Sequence, residues 1–258
     1  MHGPRDVRAR FSGRLVMGRC RVVYVGAGAV SERHAHHAVQ LVVSNDGPFE
    51  VTIGDARYVT DTVLVPAGVP HAFDATSRTV ALVLVDRHDV RGARLDALAR
   101  TPGGTDMARA LVGATLPEGS PAAVLAAVDA WIDALVGVAP RIVGPTFAIR
   151  AALAYLEESV AAGEHPTIAE AAARAKLSPV RLTHRFKEEV GAPFRALVPW
   201  YRMARAASLL AGRAPDLTSA AHDAGFVDAA HMSRTFRRAF GLAPSAFFGA
   251  AQVVWSTA

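Results

Sequence analysis

The carboxy-terminal part of the chain carries one pattern twice, and each copy reads as a helix, a tight turn and a second helix. Laying Ile168 on Leu217 also places Ala172 on Ala221. After one extra residue at the turn, Ser178 falls on Asp228, Leu182 on Met232, Phe186 on Phe236, Lys187 on Arg237 and Gly191 on Gly241. Small, apolar, basic and glycine positions keep helical spacing while the residues between them vary. A duplicated supersecondary unit explains this, and two such units on one chain suit two successive stretches of duplex DNA.

In the first unit Thr167 caps a short helix, IAEAAARAK, with Glu170 three residues on completing a capping box. Ser178, followed by Pro179 at the first helical position, opens PVRLTHRFKEEV, which Gly191 ends. Leu182, Phe186 and Val190 form its apolar face. Val180, Arg181, Thr183, His184 and Lys187 lie opposite and suit contact with base edges and phosphates. In the second unit Thr218 is the expected cap, Gly225 permits the turn, and Asp228 opens AAHMSRTFRRAF with Met232, Phe236 and Phe240 facing inward. Ala229, Ala230, His231, Arg234, Arg237 and Arg238 are left for solvent or nucleic acid. The forked guanidinium of Arg234 matches the two acceptors of guanine, while the later arginines suit phosphate. Charge agrees: from Arg141 onward there are 14 Lys+Arg against 9 Asp+Glu, whereas residues 1–140 carry 14 of each, so the net +5 lies with the repeats.

The stretch GFVDAAHMSRTFRRAFGLAPSAF resembles the carboxy-terminal signature of the AraC/XylS transcription regulators. LSPVRLTHRFKEEVGAPFRAL resembles their first helix-turn-helix, and RMARAASLL their linker helix. Two departures stand out: Phe247-Phe248 replaces an aromatic-arginine pair, and Pro199 falls in the linker helix, where it implies a start or a kink. The resemblance implies two recognition helices held by a connecting helix, entering successive major-groove faces about 34 Å apart.

The amino-terminal half has another texture. CRVVYV, VQLVVS, FEVTI, ARYV, TVLVPAG, HAF and TVALVLV are short valine-rich runs separated by turn residues, predicting an all-β sandwich or small barrel. From about Val90 the pattern becomes helical; Val124, Leu125, Val128, Trp131, Ile132 and Leu135 make one apolar stripe. That stripe suits either packing back on the β domain or a helix pair across a dimer. HAHHAVQ and PAGVPH resemble the two metal-binding motifs of cupin barrels, with Gln40 where a glutamate is usual and Thr60 where a glycine often stands. The resemblance implies that His34, His36 and His71 line the barrel interior or mouth, either holding a divalent metal or, with Gln40, lining a metal-free effector pocket; a purely structural barrel is the third reading.

The expected fold is α+β with two domains: a cupin-like β-barrel sensor over 11–88 with a helical stem over 89–143, and an all-α domain over 144–250 with two helix-turn-helix motifs and a linker helix. A hinge is expected at Pro140–Pro145 and a helix at Thr146–Glu158. The expected partners are double-stranded DNA, a small-molecule effector, a second copy of the chain and RNA polymerase; no cofactor is required. The single cysteine, Cys20, excludes an intrachain disulfide or a multi-cysteine zinc site. The chain shows neither an apolar stretch of membrane-spanning length nor an amino-terminal signal pattern, and the expected location is cytoplasmic; the first ten residues read as a frayed tail. A metal-dependent cupin enzyme with a DNA-binding appendage is the alternative function. A DNA-repair alkyl acceptor is disfavoured because Cys20 reads as a buried thiol in a strand.

Overall fold

Alternation along one strand builds two separate cores. In the computed structural model, Val80, Leu82 and Leu84 of the strand Thr79–Asp86 enter one apolar cluster, and Ala81, Val83 and Val85 enter another. The structure describes residues 13–18, 20–87, 89–137, 146–190, 193–212, 216–240, 244 and 251–255.

The first cluster lies between two sheets. One contains β1 (Gly13–Gly18), β2 (Arg21–Ala27), β4 (Ala38–Ser44), β7 (Thr62–Val65), β9 (Thr79–Asp86) and β10 (Ala251–Trp255), in the order β10-β1-β2-β9-β4-β7. The other contains β3 (Val30–His34), β5 (Phe49–Ile53), β6 (Ala56–Thr60) and β8 (His71–Asp74), in the order β3-β8-β5-β6. Neighbours run antiparallel except β1 and β10, which are parallel. Phe49, Val51 and Phe73 from the smaller sheet meet Leu15, Val22, Tyr24, Val42 and Leu82 from the larger.

Of the sandwich or small barrel expected from the valine-rich runs, the sandwich is found, and the closed cupin-like barrel implied by the histidine motifs is not: among the described residues the sheets remain two, with no ladder between them. The chain crosses from β6 to β7 through Asp61 alone, whose carbonyl accepts from Ser44 N–H, so this corner turns without a cross-sheet ladder. Two further expectations change here. Cys20 is buried but sits in the β1–β2 turn at φ 60, not in a strand. The runs also gave no warning of β1, β3 or β10.

The second cluster covers the opposite face of the larger sheet. Leu95 of α1 (Val90–Ala99), Ala108 and Leu111 of a 3₁₀ helix (Gly104–Leu111), and Val124, Leu125, Val128, Ile132 and Leu135 of α2 (Pro121–Val136) pack there. The amphipathic stripe thus covers its own chain's sheet, with Trp131 half-buried at its margin. Arg91 grips Asp133 with two hydrogen bonds of 2.9 Å, and Arg21 reaches Asp129 at 3.0 Å, fixing α1 and β2 to α2.

The helical region consists of α3 (Phe147–Ala161), α4 (Ile168–Arg174), α5 (Pro179–Val190), α6 (Phe194–Gly212), α7 (Leu217–Asp223) and α8 (Ala229–Phe240). Ile149, Leu156, Ala172, Leu182, Phe186 and Leu197 form its first core, into which the Cys20 turn inserts. Trp200, Met203, Ala221, Phe226, Met232 and Phe236 form its second, continuous with the cluster between the sheets. Pro199 lies inside α6, five residues after its start; the helix neither begins nor ends there. The expected helix at Thr146–Glu158 is α3, shifted by one residue at its start and extended by three. The Pro140–Pro145 hinge, the frayed tail, the glycines Gly191 and Gly241, the inward side chain of Phe240 and the Phe247-Phe248 pair lie outside the described residues. No described helix is long and apolar enough to cross a membrane.

Candidate nucleic-acid interface and sensor pocket

The two turns of the duplicated pattern are built by the same hydrogen bonds. After α4, Leu177 N–H donates to Ala172 O and Lys176 N–H to Ala173 O; after α7, Phe226 donates to Ala221 O and Gly225 to His222 O. Both are helix-ending motifs that require one left-handed residue, supplied by Lys176 at φ 54 and Gly225 at φ 78. The turn contains one more residue in the second copy, Val227, before Asp228 opens α8. Ser178 and Asp228 accept from the backbone N–H three residues on, Arg181 and His231 respectively.

Caps at the leading helices differ from expectation. Asp216, not Thr218, caps α7, accepting from Thr218 N–H at 2.7 Å and Ser219 N–H at 2.8 Å. A carboxylate two residues upstream reaches both amides, whereas Thr218 already lies in the helix. At α4 Thr167 Oγ1 accepts from Glu170 N–H, but the return bond is relayed: Thr167 N–H goes to the Tyr155 hydroxyl, which donates to Glu170.

Leu182 and Phe186 are fully buried, and Val180, Arg181, Thr183, His184 and Lys187 are all exposed on α5. On α8 Met232 and Phe236 are buried, while Ala230, Arg234 and Arg237 are exposed. Ala229 is partly buried against the core instead of facing solvent. His231 and Arg238 point elsewhere: with Thr235 they border a cleft between α8, α6 and the start of β4. Arg238 remains exposed, but its backbone carbonyl accepts from His37 N–H at 3.0 Å. Sequence reasoning passed over Val227, which is 73% exposed beside α8 as Val180 is 68% exposed on α5. Its only signal was the one-residue insertion.

In the amino-terminal half His34, His36 and His71 converge, with one ring nitrogen from each within 4.8 Å of the others. Each Nδ1 faces a backbone carbonyl: His34 to Glu32 at 2.7 Å, His36 to Ala38 at 3.0 Å and His71 to Val69 at 2.9 Å. Donation there fixes the tautomer and leaves a lone pair on Nε2 of His36 and His71. His71 Nε2 is buried with no partner. His36 Nε2 lies 3.1 Å from the Gln40 amide oxygen, whose own nitrogen has no partner. Turning that amide by half a rotation gives the lone pair a donor. Burial pushes both His36 and His71 down to about 4, keeping them neutral at pH 7. His34 is half-buried.

Residues 171–250 match the family model of the helix-turn-helix domain. No curated protein matches the chain. Among solved structures, unsaturated fatty acid-bound ToxT from Vibrio cholerae strain SCE256 is 13% identical, covering 90% of this chain and 97% of its own, with a TM-score of 0.45. The C-terminal domain of AraT, a response regulator from Geobacillus stearothermophilus, is 24% identical over 45% of this chain and 92% of its own, at a TM-score of 0.38. The DNA-binding domain of AdpA, in complex with a target DNA, is 26% identical over 41% of this chain and 91% of its own, at a TM-score of 0.35. The domain match runs from Ala171 within α4 through α8 and takes in both turns of the duplicated pattern, so the chain carries a helix-turn-helix domain and is a DNA-binding transcription regulator.

Proposed function

We propose that α4–α5 and α7–α8 act as two helix-turn-helix motifs, with α5 and α8 entering successive major-groove faces of one promoter site. The observation that carries this reading is the pair of turns with matching hydrogen bonds, each followed by a helix with an outward basic face. Val180, Arg181, Thr183, His184 and Lys187 would contact DNA from α5, and Ala229, Ala230, His231, Arg234, Arg237 and Arg238 from α8. The partial burial of Ala229 favours the more exposed Ala230, Arg234 and Arg237 within the second set. Val180 and Val227 offer apolar contact to thymine methyl groups. Selecting genomic fragments bound by the full chain tests the reading: a shared motif with two half-sites about one duplex turn apart supports it, and unselective recovery refutes it.

The amino-terminal sandwich is the sensor in this reading, cupin-like in its paired sheets, with His34, His36, Gln40 and His71 lining the effector pocket. The His71 Nε2 lone pair, buried and without a partner beside the His36–Gln40 pair, calls for a ligand that supplies a donor. The domain limits 11–88, 89–143 and 144–250, action as a homodimer, contact with RNA polymerase and a cytoplasmic location belong to the same proposal. Packing of the α2 stripe against the chain's own sheet leaves dimer formation to another surface.

A second reading is favoured by the three converging imidazoles with carbonyl-anchored Nδ1 groups. They fit a divalent metal such as zinc, whose ligand nitrogens stand about 3.4 Å apart, if the side chains shift by about 1 Å. His34, His36 and His71 would hold the ion, and a bound metal would supply Lewis acidity to a sensor or to a cupin enzyme. Stoichiometric metal lost from a His71→Ala protein favours this reading; a metal-free chain that stays metal-free on exposure to zinc and iron discards it.

A further inference from the structure

The amino end of α3 is capped by another helix. Thr146 stands at its N-cap, yet the Thr146 side chain accepts no hydrogen bond from α3. Three positions on, where a capping box would carry a glutamate, stands the buried Ile149. Glu189 of α5 takes that place instead, its Oε2 accepting the Thr146 N–H at 2.7 Å. Arg185, one turn earlier on α5, donates to Thr146 Oγ1 at 2.9 Å and to Glu189 Oε1 through Nε at 3.1 Å and Nη2 at 2.8 Å. Arg185 is thus turned toward α3, whereas Arg181 and Lys187 are exposed on the outward face. The second copy does not repeat this arrangement. At the aligned positions of α8 stand Thr235, whose hydroxyl donates to His231 O of its own helix at 3.0 Å, and Ala239, half-buried against the core.

We propose that Arg185 and Glu189 are positioning residues for DNA recognition: anchored on Thr146, they fix the rotation of α5 about its axis and its advance along it, and so set which bases of one half-site it meets. The inference rests on the reading of α5 as a DNA-contacting helix. Elsewhere α3 and α5 share an apolar core containing Ile149, Leu182 and Phe186. Apolar packing is non-directional, so it resists separation of two helices more than it resists sliding or rotation. Hydrogen bonds are directional, and those to Thr146 tie two successive turns of α5 to one fixed point. A small rotation of α5 would displace its whole outward face, Arg181 and His184 included. With no such tie at Thr235 and Ala239, the seat of α8 does not depend on this latch.

The test uses the full chain and a labelled duplex carrying the site recovered by genomic fragment selection. Thr146→Val and Arg185→Met should each weaken binding about fivefold, and the double variant should lose no more than either alone. Thr146→Ser, which keeps the hydroxyl, should restore the parent's affinity. The slope of affinity against salt should stay that of the parent, because no phosphate contact is lost. Base preference should relax only in the half-site that Arg234→Ala leaves intact. Parental affinity and preference in both single variants overturn the latch, as do losses that add in the double variant or relaxation spread over both half-sites. Normal binding by Thr146→Val beside an Arg185→Met chain whose salt slope has fallen by about one makes Arg185 a phosphate contact, which also overturns it. A parent chain that selects no site refutes the recognition-helix reading and the latch's role with it, whereas the other failures refute the latch alone.

Discussion

Lys176 and Gly225 hold the same left-handed place in two turns that share their hydrogen-bond pattern, at φ 54 and φ 78. A side chain costs about 1–2 kcal/mol in that conformation. Lys176→Gly should therefore stabilise the helical region by about 1 kcal/mol. Gly225→Ala should destabilise it by about 1–2 kcal/mol, since its new Cβ would also stand 3.2 Å from Arg202 Nε. Urea unfolding followed by helical circular dichroism measures both, and opposite signs are the expected outcome.

Arg234 and Arg237 should separate base reading from phosphate holding. Arg234→Ala is expected to cost about 1–3 kcal/mol on the selected site and to relax preference at one base pair. Arg237→Ala should weaken all duplexes alike and reduce the salt slope by about one. Gel-shift titrations across salt concentrations, on the selected site and on a scrambled duplex, distinguish the two patterns. Normal selectivity in the Arg234 variant would remove its assigned role.

Stability should fall with acid over a window set by the buried histidines. His36 and His71 are lowered from 6.5 to about 4 by burial and by neighbouring imidazoles. Between those values the unfolded chain binds the protons and the folded one refuses them, so stability is full above pH 6.5 and drains away toward pH 4. Each histidine accounts for roughly 3 kcal/mol at the acidic end. Denaturation midpoints between pH 7.5 and 4.5 should decline, and His71→Asn should flatten the decline. An equal slope in that variant would contradict the assignment.

Docking of α2 on the sheet predicts a stability effect without an assembly effect. Ile132 is fully buried in the second core, so Ile132→Ala should cost about 2–5 kcal/mol. Light scattering of the folded variant should give the same molar mass as the parent. A change of oligomeric state with little loss of stability would mean that the stripe faces another copy.

The helical part was legible because each signal there is local: periodic apolar residues, Thr167 and Ser178 at caps, and Gly225 at a turn all act within a few residues of one another. Asp216 displaced Thr218 as cap because either residue type suits the role, and only backbone conformation selects between them. The destination of the α2 stripe was open because amphipathicity announces a partner without naming it. The strands β1 and β3 escaped notice for a similar reason. GRLVMG begins and ends in glycine, and VSERH is largely polar on an edge strand, so neither displays a valine-rich run. The histidine cluster was legible in kind, since motif spacing brought His34, His36 and His71 together, but its carbonyl-anchored tautomers depend on loop conformation. The facing of His231 and Arg238 toward the other half depends on how the halves pack, which no residue pattern within α8 encodes.

The parallel pairing of β10 with β1 makes the last described segment the shield of the first. A chain cut at the start of α3 would leave the outer side of β1 with a row of amide and carbonyl groups facing water, open to strands of other molecules. The sensor half expressed alone should consequently be prone to self-association through that margin, and a synthetic AQVVW peptide added in excess is the natural remedy.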